Sequence, residues 1–254
     1  MLLAADIGNT NITLGIYDGD SLLFTARLAT DKKRTADQYA VEIKDILCIN
    51  GVEYQFIDAA AICSVVPSVG KAVENAVLKL CKIKPIVLGP GVKTGLNIKI
   101  DNPAQLGADL AAGAVGALAL YKMPCIIIDM GTATTITILD KDGGLLGGAI
   151  AAGVGLTLDA LTNRTAQLPS INIEAPQNVI GTNTVDCMKS GLIFGAASMI
   201  DGMIERIENQ LGVSASKVAT GGLSHEIIKQ SKYQIEYNDN LLLDGLKIIY
   251  YKNK

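Results

Sequence analysis

Ala5-Asp6-Ile7-Gly8-Asn9-Thr10-Asn11-Ile12-Thr13, running on through Leu14 to Tyr17, has a second version later in the chain. It reads Ile128-Asp129-Met130-Gly131-Thr132-Ala133-Thr134-Thr135 and runs on through Ile136 to Leu139. From Asp6 to Asp129 the separation is 123 positions. Each copy is an apolar run, an Asp-x-Gly, a cluster of small hydroxyl or amide residues and a second apolar run. Each then reaches a polar turn, Asp18-Gly19-Asp20 or Asp140-Lys141-Asp142-Gly143-Gly144. The pattern predicts strand, tight turn, strand, tight turn. A duplication at this distance predicts two similar halves that face each other, with one carboxylate ending the first strand of each.

The rest of the chain fits two halves. Its 254 residues suffice for two domains of about 125 each. Hydrophobic residues make up 49% and aromatics 4%, with no Trp, so the core is expected to be aliphatic and Ala-rich. A net charge of −3 argues against a nucleic-acid groove built on bulk basicity. Any bound polyanion would be neutralised mostly by backbone N–H groups and a metal. The cysteines, Cys48, Cys63, Cys81, Cys125 and Cys187, are odd in number and show no CxxC. They read as reduced thiols of a cytoplasmic protein, mostly buried as small hydrophobes and not metal ligands. Leu110–Tyr121, read as the longest apolar stretch, is too short to span a bilayer. The start of the chain reaches Asp6 too soon for a secretory signal.

Strands are predicted at 2–6, 11–17, 21–29, 59–64 and 85–88, with helices from Ala36 and over 70–81. Thr35 and Gln38 form a capping box for the first helix. Pro124 ends the first half, which gives domains 1–121 and 122–254. The second half repeats three strands at 125–129, 135–139 and 145–150. Helices are predicted near 156–161, 183–211 and 224–230, with a strand at 218–220. Strand-hairpin-strand followed by alternating helices and strands, made twice, is an α/β protein with mixed sheets. Neither GxGxxG nor GxxxxGK[ST] occurs.

Several constellations could carry chemistry. In the first turn Gly8 permits close backbone approach, consecutive N–H groups form an anion-binding concavity, and Asn9, Thr10, Asn11 and Thr13 add donors. Asp6 could hold a hydrated Mg2+ that bridges phosphates. An ordinary hairpin turn uses the same residue types; the repetition favours a phosphate clamp. Asn102, Pro103 and Gln105 predict an N-cap, N1 and N3 for one helix reaching Tyr121. Asp109, the only charged residue from 104 through 121, then falls two turns in. It either faces a solvent gap or caps a loop, or it is a functional carboxylate acting as general base. Gly221-Gly222 after a strand permits a flat ligand such as adenine to approach, although such turns are common. Gly153-Val154-Gly155 and Gly147-Gly148 mark further tight turns. His225, the only histidine, reads as a surface or structural residue, and Lys32-Lys33-Arg34 as a solvated charge run.

Taken together these motifs resemble the acetate and sugar kinase/Hsp70/actin superfamily, and within it the type III pantothenate kinases. The resembling stretches are Asp6–Asn11, Pro90–Gly95, Asp101–Pro103, Gly107–Asp109, Asp129–Thr134, Leu158–Leu161, Arg164–Pro169, Asn183-Thr184 and Ala219–Gly222. The resemblance implies two ribonuclease-H-like (actin-like ATPase) domains around a central cleft. It implies ATP-dependent phosphorylation of pantothenate, the first step toward coenzyme A, by a cytoplasmic homodimer acting on neither nucleic acid nor membrane. Asp6, Ile7, Gly8, Asn9, Thr10, Asn11, Ile12 and Thr13 would cradle the ATP phosphates, with Thr132, Gly221 and Gly222 also on ATP. Asp6 would meet the Mg2+ that comes with ATP. Gly107, Ala108, Asp109 and Leu110 would line the pantothenate pocket together with Thr184, which the partner subunit would supply. Asp109 would be the base, and Asp129 would bind a monovalent cation, K+ or NH4+. Two positions depart from the family pattern. Leu110 stands where an Arg usually follows the catalytic Asp, and Ile100 stands where many members have Tyr. An Arg there would be a bidentate partner for the substrate carboxylate. The alternative reading is a divergent paralogue, either an ATP-binding regulatory module or a kinase of another small alcohol.

Overall fold

The computed structural model describes residues 1–254 and turns the sequence repeat into two sheets of one design. β1 (Leu2–Ile7), β2 (Asn11–Asp18) and β3 (Ser21–Ala29) form an antiparallel meander. β4 (Ala59–Ser64) and β5 (Ile86–Val87) add in parallel on the other side of β1, for the order β3-β2-β1-β4-β5. In the second sheet β7 (Cys125–Met130), β8 (Ala133–Leu139) and β9 (Gly144–Ala152) make the meander. There β10 (Ser216–Thr220) and β11 (Glu236–Tyr237) are the parallel additions, while β6 (Asn97–Ile98) extends the far edge beside β9.

The two meanders differ by one residue. Ile7 lies opposite Ile12, which leaves residues 8–11 in the first turn. Met130 lies opposite Thr134, which leaves only 131–133 in the second. Beyond the turn the repeat spacing therefore drops by one. The β-bulge between Ile16 and Tyr17 recurs, at the shortened spacing, between Ile138 and Leu139.

Two compact units result. The first contains residues 1–96, 101–119 and 240–254; the second contains 97–100 and 120–239. A single cut after residue 121 does not describe this division, because two short segments pair with the other unit's elements. Residues 97–100 join the second sheet through β6, where Lys99 Nζ lies 2.5 Å from Asp140 Oδ2. α7 (Leu241–Asn253), which the strand and helix expectations did not include, packs on β1 and β4.

Alternation along β1 explains how the first unit is layered. Leu3, Ala5 and Ile7 face one core with the buried residues of α1 (Ala36–Ile49) and α2 (Pro67–Cys81). Leu2 and Ala4 face the other, with Ala59, Ala61 and Cys63 of β4 and the buried residues of α3 (Ala108–Leu120) and α7. Period-2 side chains on a strand covered on both faces require this near-continuous apolar sequence. α1 begins at the expected capping box: Gln38 N–H donates to Thr35 Oγ1 at 3.4 Å, and Thr35 N–H donates to Gln38 Oε1 at 2.8 Å. Tyr17 Oη donates to Asp244 Oδ1 at 2.9 Å and so ties α7 to β2.

The second unit buries Ile126, Ile128, Met130 and Ile136 under α4 (Val154–Arg164), α5 (Thr184–Leu211) and α6 (Ser224–Ile228). α5 corrects the expectation that Leu110–Tyr121 is the longest apolar run. With 28 residues and mean hydropathy 1.2 in its best window, α5 is long and apolar enough to cross a membrane. Its Met188, Leu192, Ile193, Ala197, Ile200 and Ile204 are instead buried in this unit's core, which accounts for its composition.

The helix expected from Asn102 to Tyr121 is also corrected. Pro103–Gln105 is a single 3-10 turn whose Asn102 side chain accepts from Ala104 N–H, so the Asn102–Gln105 capping box does not form. Leu106 is extended (φ −63°, ψ 123°), and α3 starts afresh at Ala108. The extended residue lets Leu106 pack against the Leu88–Ala111–Leu246 core.

α3 and α7 cross at small residues. A Cβ on Gly245 would overlap the carbonyl oxygen of Ala112, and one on Gly116 would overlap that of Leu241. Gly245→Ala is expected to force the helices apart and destabilise the protein by about 1–3 kcal/mol, as overpacking does. Gly191→Ala, on α5 where a Cβ meets nothing within 4 Å, is expected to be neutral or to stabilise by up to about 1 kcal/mol. Thermal midpoints of the two variants check the contrast; equal shifts would refute the close crossing.

Candidate functional site

The first unit assembles a carboxylate site at the end of β1. Asp6 lies on the α3/α7 face of the sheet, opposite Thr13 on β2 and beside Cys63 on β4. The Cys63 thiol is fully buried and donates to Asp6 Oδ1 at 3.0 Å. Burial raises the proton affinity of Asp6 most; the Cys63 hydrogen bond opposes this, and the negative charge of Asp109 adds to it. The net effect moves its pKa from 3.8 to about 6. Burial, and then the negative charge of Asp6, push the Cys63 thiol well above its ordinary range, so it remains a protonated donor.

The turn after Asp6 is held from its own backbone and from the end of β3. Gly8 N–H donates to Asn11 C=O at 3.0 Å, Thr30 N–H to Thr10 C=O at 2.9 Å, and Thr30 Oγ1 to Gly8 C=O at 2.7 Å. Asn9, Thr10 and Asn11 are exposed at its tip, while Ile7 and Ile12 anchor it in the core. The backbone approaches closely at Gly8: a Cβ there would lie a tight 3.2 Å from Asn11 O.

Asp109 stands elsewhere than expected. Because α3 starts at Ala108, it occupies the first turn, where the positive end of the helix dipole and unpaired N–H groups favour a carboxylate. Its Oδ1 accepts from Leu110 N–H at 2.8 Å. A Cβ on Gly107 would come 2.5 Å from that oxygen, so glycine leaves the carboxylate room to fold back over the helix start. Asp109, Ala108 and Leu110 are half-buried. The structure thus brings Asp6, Cys63 and Asp109 into one electrostatic group.

The second unit repeats the arrangement with different chemistry. Asp129 lies one residue before the end of β7, opposite Thr135, and Thr220 on β10 lies beside it, at the register position that Cys63 holds beside Asp6. Gly221 (φ +93°) follows; a Cβ there would lie 2.6 Å from Met130 O and 2.8 Å from Asp129 Oδ1. Only a glycine passes so close to the strand end. Gly222 and Thr132 are exposed, and the carbonyls of Gly131 and Thr132 crowd Gly153. Thr184 is the exposed first residue of α5, behind an N-cap in which Asp186 N–H donates to Asn183 Oδ1 at 2.9 Å. Ile100 lies 3.7 Å from a Cβ position on Gly147.

The remaining candidates are structural. His225 is exposed and tilts against the Tyr237 ring at 5.5 Å, with Nδ1 3.3 Å from Glu226. Lys32 and Lys33 are exposed, and Arg34 pairs with Glu42. All five cysteines are free thiols, but only Cys63 and Cys125 are buried, which corrects the expectation of mostly buried cysteines. Sequence reasoning missed Cys63. Its signal was available only in the pairing of β4 with β1, which no local pattern encodes.

A β3-β2-β1-β4-β5 sheet made twice, each with an aspartate near the end of its first strand, defines the actin-like ATPase class of fold. Solved structures agree. One from Campylobacter jejuni, described as a conserved putative Baf family transcriptional activator, superposes with TM-score 0.61 at 20% identity, covering 99% of this chain and 98% of that one. The (R)-2-hydroxyglutaryl-CoA dehydratase component A of Acidaminococcus fermentans gives 0.58 at 15% identity, covering 99% and 96%. Residues 2–206 match the family described as type III pantothenate kinase. A protein of that description from Geobacillus sp. (strain WCH70) is 43% identical over 253 residues, covering 100% of this chain and 98% of its own. The chain belongs to the type III pantothenate kinase family, a kinase family that uses ATP and a divalent metal.

The residues present fit a cation. No group of three or more His, Cys, Asp or Glu side chains comes together to hold one. A cation beside Asp6 would therefore have to take its other ligands from phosphate, carbonyl or water oxygens, as Mg2+ commonly does. Burial and Asp109 both favour the neutral acid at Asp6, and a bound cation would offset both. Asp6 follows a definite sign. Its folded pKa is raised, so between about pH 4 and 6 the native state holds a proton that the unfolded state releases. Stability is then lost as pH rises through that window, by at most about 3 kcal/mol. In nucleotide-free protein with chelator, Asp6→Asn is expected to raise the thermal midpoint at pH 7.5 and to change it little at pH 4. A lowered midpoint at pH 7.5 would contradict this.

Proposed function

We propose that this protein transfers the terminal phosphoryl group of ATP to the hydroxyl of pantothenate, giving 4'-phosphopantothenate, the first step of coenzyme A biosynthesis. Full-length 43% identity to a type III pantothenate kinase carries this reading. In the first unit the turn from Asp6 to Thr13 holds ATP phosphates through its backbone N–H groups and the Asn and Thr side chains. Asp6 would hold the Mg2+ that accompanies ATP, and that cation would neutralise charge on the phosphates. Asp109 accepts the hydroxyl proton while the alcohol oxygen bonds to phosphorus and the bond to ADP breaks. Gly107, Ala108 and Leu110 line the acceptor pocket beside it. In the second unit Asp129 would hold a monovalent cation, K+ or NH4+. Thr132, Gly221 and Gly222 contact ATP. Thr184 reaches the acceptor of a partner subunit, which makes the protein a homodimer, and its place is the cytoplasm. Catalysis rests on positioning and on electrostatics at the transferred group.

Leu110 favours a second reading. The family usually has Arg at this position, and leucine offers the substrate carboxylate no bidentate partner. A kinase of another small alcohol would use the same phosphate machinery, and an ATP-binding regulatory module would use it without turnover.

Turnover of ATP with pantothenate in the presence of Mg2+ and K+ decides among these readings. Phosphopantothenate as product supports the first; ATP turnover on a different hydroxy compound supports the second; nucleotide binding without turnover supports the third. Asp109→Asn is expected to lower kcat by about 10²–10⁴-fold with ATP affinity retained. An unchanged kcat would remove Asp109 from the role of base.

A further inference from the structure

Cys63 is a buried polar group beside the phosphate site, and the proposed chemistry leaves it without a role. Strand pairing puts it there: in the parallel β1–β4 register Cys63 lies next to Asp6, and both face the α3/α7 side. The thiol is 0% exposed; it donates to Asp6 Oδ1 at 3.0 Å and is also hydrogen-bonded to the Ile7 backbone. Ala59 and Ala61, on the same face of β4, have no polar side-chain atom. The hydrogen bond is therefore particular to the position beside the carboxylate.

The torsion that rotates a carboxylate about its Cβ–Cγ bond has a broad, two-fold profile. A carboxylate at a strand end would sample a range of planes. One donor fixed to a rigid strand narrows that range, and Cys63 is carried by a strand buried on both faces. We propose that Cys63 is a positioning residue: its thiol holds Asp6 Oδ1 and so presets the carboxylate plane for the metal–nucleotide complex. The second unit bears on this. There the same register position beside Asp129 is taken by Thr220, another small side chain with a donor, 3% exposed. Each half thus places a buried small donor next to the aspartate near the end of its first strand, although sulfur and hydroxyl differ.

This inference rests on the reading of Asp6 as the residue that meets Mg–ATP. Its test reads nucleotide affinity, so it does not depend on turnover of pantothenate. Cys63→Ala and Cys63→Val remove the donor, one with a smaller and one with a filling side chain; Cys63→Ser keeps a donor. The expected result is about a tenfold weaker Mg–ATP affinity, seen by calorimetry, for Ala or Val, with Ser within about threefold of wild type; tenfold corresponds to the loss of one modest hydrogen bond. In an Asp6→Asn background the same substitutions should cause no further loss. Unchanged affinity in Ala and Val, failure of Ser to restore it, or equal losses with and without Asp6 would each overturn the proposal. If Ala fails to fold, as circular dichroism would reveal, Val and Ser still decide it. A wild type that binds Mg–ATP yet leaves pantothenate unphosphorylated would overturn the function reading while leaving this comparison intact.

Discussion

Asp6 follows four residues that are almost wholly shielded from solvent, and it emerges between an antiparallel neighbour on one side and a parallel neighbour on the other. A carboxylate so placed is held by the sheet itself. Its backbone cannot move without breaking pairing to both β2 and β4, and its side chain meets the low dielectric that the flanking cores create. The geometry that fixes the group in place also makes its charge expensive. Burial, with Asp109 acting in the same direction, raises its proton affinity, and the Cys63 thiol returns part of the loss. If Asp6 meets Mg–ATP as proposed, stability and nucleotide binding are opposed at this residue.

Most of the architecture was legible where the pattern was local. The paired Asp-x-Gly turns, the meanders, the capping box at Thr35 and the apolar strands at 59–64 and 218–220 follow from period-2 alternation, turn residues and caps. Three features were not legible for a shared reason: each depends on a partner far away in sequence. The break at Leu106 comes from burial of that side chain against residues of β5's exit and α7. The edge strand at 97–98 is set by β9, almost fifty residues later. α7 belongs with β1 and β4 at the opposite end of the chain. The geometry of the candidate site was legible only in part. Asp6, Asp109 and Asp129 stand out by residue type, whereas the place of Asp109 in a first helical turn and the contact of Cys63 with Asp6 come from tertiary structure.

The two halves are alike in topology and unlike at their turns. Four residues bridge β1 and β2 where three bridge β7 and β8, and a cysteine in one half corresponds to a threonine in the other. The glycines differ as well. Beyond Asp129 the backbone of Gly221 closes onto the strand end, while the equivalent position in the first half is Ser64, whose hydroxyl donates to Val66 C=O at 3.0 Å. A longer turn with exposed amides suits a phosphate; a strand end crowded by carbonyl oxygens suits a cation. The strand ends are thus one place where the two halves differ in chemistry.

The placement of residues 240–254 has a consequence for synthesis. α7 supplies Leu243, Leu246 and Ile249 to the layer that covers Ala4, Ala61 and Cys63. Those covering residues leave the ribosome after the whole of the second unit has been made. During translation the earlier sheet therefore waits with one apolar face incompletely covered, while the later unit can close over its own core. The half that is made first is the half whose core is completed last.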